Sequence, residues 1–462
     1  MAAVKDKGNF AQGSVSSNIL RLAGPMVIAQ MINVLYNLVD RMYIGRLAET
    51  GRLALTGIGI CAPVLTIIMA FANLCGVGGS PLFSMARGKG DDKQARHIIG
   101  NAFFMMISLG VILTIIAFAI KKPLLYWLGA DEETYVYANQ YLSVYLIGSI
   151  AVMISLGMNP FINAQGAGRT GMLTVAIGAV INIILDPIFI FALDMGVSGA
   201  ALATIISQAA SAVWVLAFLC GKRAAVKFSL ADMRPKAETI KRITLLGTSG
   251  FCLSFTTSLV QMLCNTNLRD LGGTLYVSIM TVINSIRDIF FAGVNGLTNG
   301  TTPVISYNYG AGKYSRVREA IRFCTGASLL YCIVAWAVIM IFPGFFIRIF
   351  NSDPELLEIG VRSFHIYFAA FAFMAFQLTG QVVSLALGKA KTAIFFSLLR
   401  KVIVMAPLII ILPKLFGLGV NGVFLAEPIS NVIGGLACWI TMMLTVYRPL
   451  KNKADEPDIL PE

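Results

Sequence analysis

Stretches of about 20 predominantly apolar residues recur from one end of this chain to the other, each long enough to cross a bilayer as an α-helix. Only 13% of the residues are charged, against about a quarter in soluble domains, and 57% are hydrophobic. A water-soluble domain of 462 residues cannot bury that much apolar surface. The pattern therefore predicts an all-α integral membrane protein embedded in the lipid bilayer, and it excludes a soluble one.

Twelve spans are predicted in two groups of six. They cover residues 16–44, 53–80, 97–120, 134–158, 170–193 and 197–220, then 241–267, 275–303, 320–343, 360–387, 394–413 and 420–446. An even number places both termini on one side, and segments on that side carry most of the 36 lysine and arginine residues. Because basic loops stay inside, we expect a multi-pass protein of the cell (plasma) membrane with both termini cytoplasmic.

The net charge of +13 comes from basic residues in the short segments between spans, so it does not indicate a nucleic-acid partner. Arg400 and Lys401 are assigned to the cytoplasmic end of the eleventh span, and Arg287 is the only basic residue expected in the membrane interior. The eight cysteines are scattered and include no CxxC pair, which favours small buried side chains over a disulfide framework or a metal site. No obligate protein partner is evident.

The chain repeats itself at an offset of roughly 222 residues. Residues 80–84, followed by Gly88 and Gly90, match residues 302–306, followed by Gly310 and Gly312. Two six-helix halves that start on the same side form a parallel repeat, which transporters use to build a site between two lobes; some channels are also duplicated. We predict an N-lobe at 1–220, a cytoplasmic linker at 221–240, a C-lobe at 241–448 and a polar tail at 449–462.

Polar side chains recur at helical spacing inside the spans, where they must face protein or a water-filled cavity. An isolated pair is commonly an interhelical hydrogen bond, but stripes on so many helices predict a wet interior between the lobes. The stripes include Gln261 and Asn265 on the seventh helix and Gln377 and Gln381 on the tenth. The residues predicted to line a substrate cavity are Asn33, Tyr36, Asn37, Asn159, Asn163 and Gln208.

Two carboxylates stand out. At 1.5 Å per residue, Asp186 lies about 24 Å along the fifth helix from its cytoplasmic end, Thr204 about 10 Å and Asp40 about 7 Å from the outer ends of theirs. These depths overlap, so Asp40, Asn182, Asp186 and Thr204 are predicted to converge in the N-lobe. Their oxygens suit Na⁺, and the carboxylate pair could instead hold a proton. The alternative for Asp40 is an ion pair with Arg41 or Arg46 at the membrane surface.

The C-lobe has no equivalent aspartate. In the repeat, Thr204 corresponds to Glu427, and Asp288 follows Arg287, which favours an internal ion pair. Asp288 and Glu427 are therefore kept as possible polar or acidic positions of the C-lobe, and the coupling site is predicted in the N-lobe. No cofactor, and no metal beyond a coupling Na⁺, is expected.

Asp40, the string Asn182-Ile-Ile-Leu-Asp-Pro-Ile-Phe and the segment Gly-Val-Ser-Gly-Ala-Ala-Leu-Ala-Thr204 together resemble multidrug and toxic compound extrusion (MATE) transporters, and among them a bacterial MepA-like branch. The resemblance covers essentially the whole chain. It implies two six-helix lobes, export of mostly cationic, hydrophobic drugs in exchange for Na⁺ or H⁺, and a cation site at Asp40, Asn182, Asp186 and Thr204. Where other branches carry acidic residues on the seventh and tenth helices, this chain has glutamine and asparagine.

The expected mechanism is alternating access, with Pro25 as a hinge in the first helix because proline cannot donate a helical hydrogen bond. A lipid-linked-sugar flippase of related architecture is the alternative, and it should have a more strongly basic cavity. An enzyme is disfavoured because the chain has only two histidines, without metal-ligand spacing, and no evident nucleophile–base pair. A passive channel would need rings of repeated polar residues, which the unequal lobes do not provide.

Overall fold

The computed structural model describes residues 8–45, 51–350, 354–415 and 417–456. Eleven continuous helical stretches within these ranges are long and apolar enough to cross a bilayer. The longest, Ala237–Gly310, is two helices joined at Gly273, whose backbone leaves the helical region (φ 76°, ψ −168°). The described part of the chain therefore contains twelve spanning helices, as the sequence predicts.

We number the spanning helices in chain order. The N-lobe holds α1 Val15–Gly45, α2 Gly51–Gly88, α3 Asp92–Trp127, α4 Glu132–Ala164, α5 Gly168–Ala192 and α6 Gly196–Leu219. The C-lobe holds α7 237–272, α8 274–310, α9 Tyr314–Ile341, α10 Pro354–Ala386, α11 Ala390–Lys414 and α12 Val420–Lys451. Two shorter helices, Leu230–Met233 and Pro343–Phe350, lie outside this set.

The internal repeat is visible in the backbone. Gly90 and Gly312, which follow α2 and α8, have φ values of 76° and 68°. Gly166 and Gly388, which follow α4 and α10, have φ values of 83° and 70°. Residues with a side chain rarely adopt this left-handed conformation, so the repeated glycines close equivalent turns in the two lobes.

The lobes touch at the end of the molecule that carries the termini. The α2 backbone at Gly88 is so close to α8 that an added Cβ would collide with the carbonyl oxygen of Tyr307, and one at Gly310 would collide with that of Met85. A cluster of buried apolar side chains continues from α2, α3 and α4 to Ile243 and Leu246 of α7. Glycines and apolar packing thus hold the two lobes together on this side.

Residues 8–14 form a strap across the same end. Arg316 Nη2, on α9, donates to the carbonyl oxygens of Phe10, Gln12 and Gly13 at 3.0, 3.2 and 2.9 Å. Arg87 Nη2, on α2, donates to the carbonyl oxygen of Gly8 at 3.3 Å. Because α9 belongs to the C-lobe and α2 to the N-lobe, the strap links both lobes.

Replacing Arg316 with Gln is expected to loosen this strap. Hydrogen bonds from a charged donor contribute about 1.5–3 kcal/mol each, so losing this guanidinium should expose residues 8–14 to protease at least tenfold faster. Arg322→Gln, an exposed position on the same helix, is the matched control. Equal cleavage rates in the two variants would show that Arg316 does not fasten the strap.

The connection between the lobes is short and packed. It ends where α7 begins at Ala237, within the predicted 221–240 segment. The Asn101 side chain of α3 accepts a hydrogen bond from the Lys236 amide at 2.8 Å, and the ring of Phe228 contacts that of Phe103, with centroids 5.1 Å apart. This segment therefore lies against the N-lobe.

Candidate functional site

The predicted cation cluster is assembled from three N-lobe helices. Asn182 and Asp186 are four residues apart on α5 and so share one face of that helix. Thr204 lies on α6 and Asp40 near the end of α1. Asn182 and Asp186 are completely buried (0% exposed), and Thr204 is 8% exposed. The four residues meet in the half of the N-lobe away from the termini.

Hydrogen bonds orient the oxygens of this cluster. Asn182 Nδ2 donates to Asp186 Oδ1 at 3.1 Å and to Thr204 Oγ1 at 3.5 Å. The Thr204 hydroxyl donates to the carbonyl oxygen of Ala200 at 3.0 Å. Within the described part of the chain, the buried atoms Asn182 Oδ1 and Asp186 Oδ2 have no hydrogen-bond partner. Two oxygens with lone pairs are thus buried here without a donor, an arrangement suited to a cation.

The carboxyl groups of Asp40 and Asp186 approach within hydrogen-bonding reach of each other. Two carboxylates that close repel each other, and a proton or a metal cation between them removes the repulsion. The tyrosines of α1 and α4 stand next to the pair: Tyr36 interacts electrostatically with both aspartates and Tyr141 with Asp40. Arg46 and the Arg41 side chain, the alternative partners of Asp40, lie outside the described residues.

Tyr141 is a member of this site that the sequence did not single out. It is 5% exposed and packs beside Tyr145, one turn further along α4, with ring centroids 6.0 Å apart. Aromatic side chains at helical spacing usually belong to a core, so the pattern alone gave no reason to separate these tyrosines from ordinary packing. The Tyr141 phenol is nevertheless a polar group that α4 brings to the carboxylates.

The residues predicted to line a substrate cavity have varied positions. Tyr36 lies beside the carboxylates of Asp40 and Asp186. Asn37 Nδ2 donates to Asn33 Oδ1 at 3.2 Å, a hydrogen bond within α1. Asn159 Nδ2 donates to the carbonyl oxygen of Gly171 at 3.2 Å, which joins α4 to α5. The side-chain oxygens of Asn163 and Gln208 are buried without a hydrogen-bond partner among the described residues.

A cavity of about 750 Å³ lies between the lobes, and none of those six residues lines it. Its walls come from residues 59–66 of α2 and 258–270 of α7, at the end of the molecule away from the termini. Gln261 and Asn265, from the polar stripe of α7, face it together with Thr66 of α2. The lobes are therefore in contact at one end and separated by a polar cavity at the other.

The expectation that Arg287 is the only basic residue in the membrane interior is wrong. Arg400 and Lys401 lie about 15 Å along α11 from its first residue, and they are 8% and 4% exposed. Both contact Glu427 of α12: Arg400 Nη1 is 3.4 Å from Oε1, and Lys401 Nζ is 3.4 Å from Oε2. The sequence does not reveal this position, because the acidic partner Glu427 is 27 positions from Arg400 and 26 from Lys401.

Arg287 and Asp288 form the ion pair that the sequence suggested, with Nη2 and Oδ1 2.9 Å apart. Arg287 Nη1 also donates to the Tyr367 hydroxyl at 3.3 Å. This pair, Arg400, Lys401 and Glu427 all line a cavity of about 250 Å³ within the C-lobe. The two lobes therefore differ: the N-lobe site brings two aspartates together, and the C-lobe site is predominantly basic.

Twelve spanning helices in two repeated lobes, with a cavity between the lobes and a pair of carboxylates inside one of them, define a membrane transporter rather than an enzyme. The family model described as MatE matches residues 25–188 and 249–411, one segment in each lobe. The chain belongs to this family, as its resemblance to MATE transporters indicated.

Relatives and solved structures agree with this assignment. The chain is 24% identical to the multidrug export protein MepA of Staphylococcus haemolyticus, over 96% of both chains. It is 26% identical to that of Staphylococcus aureus strain MRSA252, over 95% of both. A multidrug resistance MATE family transporter in an outward-facing conformation has the same fold (TM-score 0.90, 24% identity, 96% and 98% covered). So does a MOP superfamily transporter from Pyrococcus furiosus, described as having a binding pocket of reverse polarity (TM-score 0.90, 23% identity, 96% and 98% covered).

Proposed function

We propose that this protein is a secondary active antiporter that exports small cationic or hydrophobic drug-like molecules in exchange for Na⁺ or H⁺. The observation that carries the proposal is the contact between Asp40 and Asp186 beside the buried, donor-free oxygens of Asn182 and Asp186. The names of the staphylococcal relatives, which are multidrug export proteins, support the substrate class. The protein would act in the plasma membrane, with both termini in the cytoplasm.

In this orientation the structure corresponds to an outward-facing state. The glycine contacts close the cytoplasmic end, and the 750 Å³ cavity between α2 and α7 faces outward. A cation from outside would then enter the cluster while substrate leaves the cavity. Alternating access requires a second state in which the contacts at Gly88 and Gly310 are broken and the cavity closes.

Helix α1 is the element that can couple the cation cluster to the lobe interface. Its outer part carries Asp40, whereas its inner part packs against α8: Ala23 lies against Gly300 and Val27 against Gly296. When the cation leaves, repulsion between Asp40 and Asp186 would push the outer part of α1 away from α5. Pro25 lies between the two α8 contacts and provides the bend.

Two solved structures with the same fold, one in a straight and one in a bent conformation, indicate that this fold can adopt more than one conformation. A ligand shifts a two-state equilibrium only through its different affinity for the two states. In this protein that difference would come from competition, because a cationic substrate and the coupling cation are drawn to the same two carboxylates.

The proposal is tested by loading proteoliposomes with a fluorescent cationic dye and imposing a Na⁺ or a proton gradient. Directional efflux that needs one of the two gradients supports the antiporter and identifies its ion. Efflux that proceeds equally without any gradient would contradict it, since a passive pore needs no coupling ion.

Thr204→Val separates the two candidate ions. Valine matches the shape of threonine and removes the hydroxyl oxygen, which is an Na⁺ ligand if Na⁺ binds but holds no proton if H⁺ binds. If Na⁺ is the coupling ion, we expect the Na⁺ concentration for half-maximal efflux to rise about tenfold, the equivalent of about 1.4 kcal/mol. If H⁺ is the coupling ion, the pH dependence of efflux should stay unchanged. Ser211→Ala, further along α6 and bonded to the carbonyl oxygen of Thr174, is the control.

A lipid-linked-sugar flippase is expected to have a strongly basic cavity, which the sequence did not indicate. The burial of Arg400 and Lys401 in the C-lobe removes that argument against a flippase. The membership of the MatE family and the carboxylate cluster favour the cation-coupled exporter. The basic cluster instead bears on which substrates the exporter accepts.

A further inference from the structure

The C-lobe cavity is lined by more basic than acidic groups. Arg287, Arg400 and Lys401 face it from α8 and α11, and Asp288 and Glu427 are the acidic residues in its wall. In their ordinary ionised forms these groups sum to one positive charge. An uncompensated charge within a bilayer protein is costly, so charged groups in such places usually pair or bind a ligand.

The donors of this cluster are incompletely used. The Lys401 ammonium has three N–H groups, and its partners are Glu427 Oε2 at 3.4 Å and the Met405 thioether at 3.5 Å. The hydrogen bonds of Arg400 run from Nη1 alone, to Glu427 and Asn431, so Nε and Nη2 remain without an acceptor in the described part of the chain. A carboxylate supplies the acceptors that these donors lack, and its charge balances the cluster.

The size of the cavity restricts what it can hold. Its volume of about 250 Å³ is below the range of about 300–1,000 Å³ typical of pockets for drug-sized ligands. It therefore suits one end of a substrate rather than a whole molecule. Its remaining wall is formed by apolar side chains, such as Phe291 and Leu378, and by the polar side chains of Ser254, Thr257, Gln377 and Gln381. This combination suits a carboxylate attached to a ring or short chain.

We propose that this C-lobe cavity binds the carboxylate of a substrate through Lys401 and Arg400, so that the exporter accepts zwitterionic and carboxylate-bearing molecules as well as plain cations. The inference rests on the proposed export function in one respect: it treats the bound anion as part of an exported molecule.

The test compares two rhodamine dyes in proteoliposomes containing the full chain: one with a free carboxylate, which is zwitterionic, and its methyl ester, which is a plain cation. The readout is the ratio of their efflux rates. Lys401→Met, which keeps the volume and removes the charge, should lower the acid-to-ester ratio by about tenfold or more. Lys391→Met, at an exposed position on the same helix, should leave the ratio unchanged.

A charge rescue distinguishes binding from a merely structural ion cluster. Glu427→Gln should raise the acid-to-ester ratio, because it removes the acidic partner that competes with the substrate for the donors of Lys401 and Arg400. The double variant Lys401→Met with Glu427→Gln returns the cavity to its original net charge and should recover acid efflux. A ratio in Lys401→Met equal to that of the unaltered protein, or a parallel fall for both dyes, would overturn the proposal.

The ester dye reports the proposed export function by itself. If ester efflux is driven by the gradient and the ratio ignores the charge series, the carboxylate site is wrong and the antiporter stands. If neither dye moves, binding of benzoate measured by calorimetry decides the matter. Benzoate affinity that follows the same charge series supports the anion site without the export function, and affinity that ignores the series overturns it.

Discussion

Asp186→Asn is expected to reduce gradient-driven dye efflux to the rate of protein-free liposomes. The substitution keeps the size of the side chain and an oxygen that can accept the 3.1 Å hydrogen bond from Asn182, so the fold should remain intact. It removes one of the two negative charges whose repulsion makes a proton or Na⁺ necessary between α1 and α5. Without that repulsion, losing the cation no longer separates the helices, and the exchange cycle stops.

Asp194→Asn is the matched control, because Asp194 is an exposed aspartate just beyond the end of α5. Its φ of 53° is in the left-handed region, where asparagine is as well tolerated as aspartate. Both variants should have the same elution volume and the same unfolding temperature as the original protein. Efflux by Asp186→Asn at the rate of the Asp194→Asn control would mean that the N-lobe carboxylates do not couple transport.

Gly88→Ala is expected to lower efflux by about fivefold or more, because it destabilises the outward-facing state. The added Cβ would collide with the Tyr307 carbonyl oxygen, and backbone atoms cannot rotate away as a side chain can. Overpacking of this kind costs about 1–3 kcal/mol, and that cost falls only on the state in which α2 and α8 touch. The equilibrium should shift by about fivefold to 150-fold toward the state that is open at the end bearing the termini.

Distances between spin labels at the ends of α2 and α8 near the termini would measure this shift, with transport measured on the same samples. Gly326→Ala, on α9, is the control, since an added Cβ there meets nothing within 4 Å. Gly310→Ala should behave like Gly88→Ala, because its Cβ would meet the reciprocal carbonyl oxygen of Met85. Unchanged transport and label distances in both variants would show that the outward-facing state accommodates the added methyl groups without cost.

The N-lobe cluster could be predicted from the sequence because of the bilayer itself. Helices that cross a membrane run roughly along one direction, so the rise per residue converts a position into a depth. That conversion was enough to bring Asp40, Asn182, Asp186 and Thr204 together. The repeat was equally visible, because turns that need a left-handed backbone keep their glycines, as Gly90 and Gly312 do.

The C-lobe cluster could not be predicted in the same way. Arg400 and Lys401 follow the start of an apolar span, where basic residues ordinarily mark a cytoplasmic loop. What places them inside is the extension of α11 back to Ala390 and the contact with Glu427 on another helix.

Likewise, Gln261 and Asn265 face the cavity between the lobes because of how the lobes are arranged, and a periodic pattern within one helix does not contain that information.

Exchange of substrate for a cation can be tested by running the coupling in reverse. Proteoliposomes would receive an outward gradient of cationic dye with Na⁺ and proton concentrations equal on both sides, and inward movement of each cation would be followed. We expect uphill entry of one cation, driven by the dye leaving and absent in Asp186→Asn. Dye efflux without cation entry, or with the cation moving outward beside it, would contradict antiport.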